Sequence, residues 1–76
     1  MGNYRFVVGL EPDLAALERE MSVAVLDVFG NGVTWVLLRA AASRIDSVKA
    51  CFRGIAHVYE TEKEARRVWL IFGRSV

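Results

Sequence analysis

The chain is 76 residues long, enough for one domain, and a domain of that size buries only about 60% of the surface its unfolded chain exposes. Apolar residues make up 54% of it, and about 59% when glycine is counted and tyrosine is not, against a usual ~45–50%. That surplus excludes a disordered chain and an acidic nucleic-acid mimic, and a formal charge of +1 is far from the strongly basic balance of a protein held by phosphate contacts.

The charge is unevenly spread. Residues 1–30 carry two basic and five acidic side chains, and residues 31–76 carry eight basic and four acidic, a split that can orient a partner or a second copy of the chain. Cys51 is the only cysteine, which excludes a disulfide scaffold. The apolar run at 6–10 is too short for a secretion signal, and the longest uncharged stretch, 28–38, falls short of the roughly 18 residues that span a bilayer. The expectation is a soluble, cytoplasmic protein with no membrane partner.

Residues 4–8 form a short β-rich run that ends at Gly9, and Pro12 follows as a first-turn helix residue, with Glu11 and Asp13 suited to the positive end of the helix dipole. Leu14, Leu17 and Met21 share a face of a helix over 13–20; Ala24 and Val28 extend the same heptad, so one helix over 13–29 is the rival reading. Residues 22–29 and 33–40 are rich in valine and aromatics and flank Gly30-Asn31-Gly32, the residue types that tolerate the positive φ of a hairpin turn. Ser43 and Asp46 make a capping box for a helix over 44–53, with Gly54 in the C′ position. A strand is expected over 55–60. Thr61 and Glu64 then open a helix over 62–72 that places Ala65, Val68, Trp69 and Phe72 on one face, although the strand formers at 68–72 also suit a terminal hairpin.

The order β-α-β-β-α-β with a terminal helix or strand resembles the ferredoxin-like superfold over residues 4–60. The resemblance implies an α+β single domain over 1–76, with a four-stranded antiparallel sheet and two helices on one face. A superfold that hosts many chemistries implies no function.

No catalytic constellation stands out. Cys51 and His57 are the only thiol and imidazole; Cys51 sits beside Phe52 on the apolar side of its helix, and the pair falls short of the four ligands of a closed zinc site. Gly30-Asn31-Gly32 lacks the Lys-Ser/Thr of a phosphate loop and precedes a strand, so it reads as a turn. Glu60, Glu62 and Glu64 read as a solvated first helical turn. The expectation is a non-enzymatic protein with no cofactor and no metal. Tyr4 and Phe6 would bury Arg5 if they pointed outward to stack bases, so they are expected to face the core. Arg39, Arg44, Lys49 and Arg53 remain as a basic flank for an alternative, nucleic-acid-binding reading.

Strand alternation locates the apolar surplus. With Arg5, Asp27 and Arg39 as outward anchors, the sheet face opposite the two helices would carry Val7, Val23, Val25, Phe29, Trp35 and Leu37, a patch too large to leave bare. Three covers are open: the C-terminal segment, a second copy, or another protein. Trp69, Leu70, Ile71 and Phe72 cannot all share one side of a helix, so the tail is expected to touch two surfaces, one of them foreign. These features point to a small regulator that binds a protein partner or itself, as a homodimer or an inhibitor of the phage type. A small-ligand sensor that resembles ACT-like domains in element order is a further alternative, although Gly9-Leu10-Glu11-Pro12 does not match their loop after the first strand.

Overall fold

A computed structural model describes residues 3–30 and 32–74. It contains β1 (Tyr4–Leu10), α1 (Leu14–Glu18), β2 (Ala24–Gly30), β3 (Thr34–Ala41), a single 3-10 turn (Ala42–Arg44) running into α2 (Ile45–Lys49), β4 (Ala56–Tyr59) and α3 (Glu62–Arg74). The fold is α+β: an open four-stranded antiparallel sheet in the order β2-β3-β1-β4, with three helices. α1 and α2 cover one face of the sheet and α3 crosses the other.

Local chemistry explains where the elements start and stop. Asp13, not Pro12, opens α1: the Ala16 N–H donates to Asp13 Oδ1 at 3.2 Å. Pro12 instead lies in an isolated bridge to Phe52. The long helix over 13–29 does not form, because α1 ends at Glu18 and the chain re-enters the sheet at Ala24. Ser43 makes no capping bond; α2 follows the 3-10 turn with Arg44 as its N-cap, and it stops at Lys49, before 53. Gly54 does not take the left-handed C′ conformation, since Gly32 is the one described glycine with positive φ. It lets Leu10 close in instead, to 3.0 Å from where a Cβ would stand. At the second box the capping half forms: the Glu64 N–H donates to Thr61 Oγ1 at 3.2 Å, while Glu64 Oε1 accepts from the Thr61 hydroxyl, and Arg66 pairs with Glu62 at 2.6 Å. α3 is a helix, so the terminal hairpin is excluded. The 30–32 turn joins β2 to β3 with Gly32 at φ 83°; Asn31 lies outside the described residues.

Two apolar layers result. On the helix-pair face Val7, Val36, Leu38 and Ala40 pack with Leu17, Val48, Cys51 and Phe52. On the α3 face Val8 and Leu37 pack with Ala65 and Trp69, joined by Phe6, Leu26, Phe29, Trp35, Tyr59 and Phe72. The rings interlock: Trp69 meets Phe29 edge-on at 4.8 Å, and Trp35 stacks on Phe72 at 4.6 Å.

The expected outward face is therefore half right in membership, and it is covered. Phe29, Trp35 and Leu37 do lie opposite the helix pair, with α3 over them, whereas Val7 and Val23 pack on the helix-pair side and Val25 pairs there with Leu38. Two anchors misled. Arg5 lies opposite Ala40 on the helix-pair face, near the strand's start, and its guanidinium turns back to donate to Tyr4 O at 2.9 Å, so it need not be outward. In β2 the register slips between Val25 and Asp27: Val25 pairs with Leu38 and Asp27 with Leu37. This bulge puts Leu26 and Asp27 both on the α3 side and reverses the alternation there. Phe6 faces a core as expected, but the one beneath α3; Tyr4 stays largely exposed, with the Arg39 guanidinium 4.7 Å over its ring.

Candidate functional site

α3 hides the centre of the sheet and leaves one flank of the molecule bare. β2 is an edge strand of seven residues, about 23 Å long, whereas α1 has five residues and an axis of about 8 Å. A helix that short cannot screen the strand beside it. Leu17 and Val23 form the floor of an apolar groove of 390 Å³ between α1 and β2, and Leu14, Met21 and Val25 form its walls. Met21 is 99% exposed, Leu14 61% and Val25 52%, and Val28 continues the bare strip along β2. The only charged side chains lining the groove are Glu18 and Glu20. Glu20 is already held by Arg44, whose Nε and Nη2 each donate to it at 3.1 Å and whose own pKa it raises. Glu18 is left as the unbalanced anion of the rim.

A second cleft, of 410 Å³, lies where the β1–α1 loop, the β2–β3 turn and the α2–β4 loop meet. Glu11 ties these loops together: its N–H donates to Thr34 O at 2.8 Å, and its carbonyl accepts from the Arg53 N–H at 3.0 Å. It does so at φ 55°, the one positive φ among the described non-glycine residues. Glu11, Asp13 and Arg53 line this cleft, yet no ion pair joins either carboxylate to the guanidinium.

Of the residues expected at an interface, Val7 and Leu37 are fully buried, Trp69 nearly so, and Val23, Phe29, Trp35 and Phe72 sit half-buried in the two layers. Val25, Leu70 and Ile71 are exposed, with Val25 in the groove and the other two on the outer side of α3. Leu14, Met21 and Val28 were missed. Leu14 and Met21 read as part of a helix face and Val28 as part of a strand, and beside a five-residue α1 all three are left more than half exposed. Arg39, Arg44, Lys49 and Arg53 do not form one surface: Arg39 sits over Tyr4 on the α3 side, Arg44 is bound to Glu20, Lys49 ends α2, and Arg53 lines the second cleft.

Cys51 and His57 lie on opposite sides of the sheet. The thiol is buried under α2 and donates to Ser47 O at 3.3 Å, and burial, then the nearby carboxylates of Glu20 and Asp13, push its pKa up. His57 pairs with Val8 on the α3 face. Among the described residues no group of three or more His, Cys, Asp or Glu side chains is placed to hold a metal ion, and no helix is long and apolar enough to cross a membrane. No protein-family model, curated protein or solved structure matches the chain.

Proposed function

We propose that this chain is a small non-enzymatic regulatory protein that works through protein–protein contact at the α1–β2 groove, either with a second copy of itself or, as an inhibitor, with a target protein. The observation that carries the reading is the groove itself: Leu14, Met21 and Val25 line it and are all more than half exposed, and Val28 continues the strip, the largest group of exposed apolar side chains among the described residues. The scaffold we assign is ferredoxin-like, supported by the βαββαβ element order, by β1 lying between β3 and β4, and by the placement of α1 and α2 on one face; α3 is an addition that seals the other. The cytoplasm fits a chain whose single cysteine has no partner for a disulfide.

A quantitative pull-down from the source cell tests it, with wild type, Met21→Glu, and Ile55→Glu as an exposed control away from the groove. Proteins retained by wild type and the control but lost with Met21→Glu support the reading. An identical set from all three overturns it.

One observation favours a second reading, a sensor of small ligands. Glu11 keeps a charged side chain in a left-handed conformation beside the unpaired Arg53, an arrangement suited to a ligand bearing both charges. Titration with free amino acids as zwitterionic probes should then shift the Glu11, Thr34 and Arg53 amide resonances, and Arg53→Ala should abolish the shifts. Flat titrations at millimolar probe dispose of it.

A further inference from the structure

α3 buries Ala65, Trp69 and Phe72 against the sheet, so its opposite side presents Lys63, Arg67 and Leu70 as an outward ridge at spacing i, i+4, i+7, with Ile71 beside it. Leu70 is 59% exposed and Ile71 57%. Arg66 is paired with Glu62, whereas among the described residues no carboxylate stands within ion-pair distance of Lys63 or Arg67. This surface can be set against the groove: on α3 two aliphatic side chains beside Arg67 and Lys63, with Glu64 a turn away, and on α1 an apolar trough rimmed by Glu18. Six of the nine large apolar residues exposed in the described chain lie at these two places.

Resting on the groove as the contact surface, we propose that its occupant is the outer side of α3 from a second copy of this chain. Leu70 and Ile71 would enter the trough and Arg67 would approach Glu18. The volume suits them, since 390 Å³ is more than twice the roughly 150 Å³ that accepts a benzene ring. The charges meet at one point: Glu18 on the trough's rim and Arg67 on the ridge each stand without an ion pair among the described residues, whereas Glu20 is taken by Arg44 and Glu64 stands one turn from Arg67 on α3. The two surfaces lie on opposite faces of the sheet, so a copy cannot fill its own groove. Each copy gives one surface and receives on the other, which makes the contact head-to-tail and the product a ring or a short open chain, not a two-fold dimer.

Sedimentation velocity and light scattering on the full chain, from micromolar to millimolar, test this. The mean mass of the wild type should rise with concentration. Met21→Glu and Leu70→Glu, both at exposed positions, should each weaken association at least tenfold. Mixed one to one, they should form a dimer and nothing larger, because each keeps the one surface the other has lost. Glu18→Lys and Arg67→Glu should each weaken association a few-fold, and the double variant should recover it. A wild type that stays monomeric at millimolar overturns the second-copy proposal, as does a mixture that stays monomeric or an oligomer indifferent to both glutamate substitutions. None of these touches the pull-down comparison, whose own failure would remove the groove as a contact surface.

Discussion

Gly9 stands inside β1, where glycine brings no packing and costs backbone entropy, and Phe52 is the reason it is there: a Cβ built on Gly9 would clash with three carbons of the Phe52 ring. Gly9→Ala should therefore cost about 1–3 kcal/mol, read as a lower denaturant midpoint at unchanged slope. An unchanged midpoint would mean that the ring has room to move. In the sequence Gly9 reads as the end of the strand, and β1 instead runs on to Leu10, because a glycine that punctuates and a glycine that admits a ring look the same until the ring is placed. Cys51 carries a second prediction. Its pKa is raised above the ordinary thiol value of 9.0, so the folded chain holds a proton that the unfolded chain gives up. That contribution is fully present below about pH 9 and is lost as pH climbs through the folded value. Stability measured from pH 7 to 11 should fall more steeply for wild type than for Cys51→Ala, and parallel curves would contradict the shift. Burial of this thiol was legible from its place beside Phe52 on an apolar helix side.

Among the elements, β2 shows how one residue of slippage changes what a strand presents. Through Val25 it follows the alternation set by β3, and past the bulge Asp27 faces α3, where Trp69 Nε1–H donates to Asp27 Oδ2 at 2.9 Å. The contact fixes α3 across the sheet, beside the ring pair of Trp69 and Phe29. Asp27→Ala strands a half-buried indole N–H and should cost about 1–2 kcal/mol, with faster amide exchange along α3. Exchange unchanged in α3 would show that water replaces the carboxylate. Period-two alternation was legible for β3, where Trp35 and Leu37 do share a face with Arg39. The bulge was not, because nothing within β2 requires it; Asp27, which lies just past it, meets Trp69, 42 residues away. The start of α3 was legible because Thr61 and Glu64, which bond each other there, are local; its end was not, since the helix runs to Arg74, past the expected 72. Ser43 and Asp46 carried the same pattern, but the chain leaving β3 enters α2 through a 3-10 turn that takes the capping position away from Ser43.

At the scale of the whole molecule, α3 decides whether the domain exists. Seating Trp69 and Phe72 contributes roughly 3–6 kcal/mol by area, against the ~4–11 kcal/mol of net stability usual for a chain this long. A chain ending at Thr61 should bare Phe6, Val8, Phe29, Trp35, Leu37 and Tyr59, lose its cooperative unfolding transition and associate in light scattering. A cooperative, monomeric fragment would mean that the sheet and helix pair suffice alone. The apolar surplus, the element order and the absence of a disulfide follow from composition and local patterning, which act over a few residues and survive in a linear reading. That the sheet has to be covered on both faces follows as well, since more apolar residues alternate through its strands than one helix pair can bury. Which of the three covers takes the second face was settled only when α3 came to rest there, and the bare flank left along α1 and β2 is set by how far a five-residue helix reaches. Packing between distant segments sets both outcomes, and those distances are not written in the order of the residues.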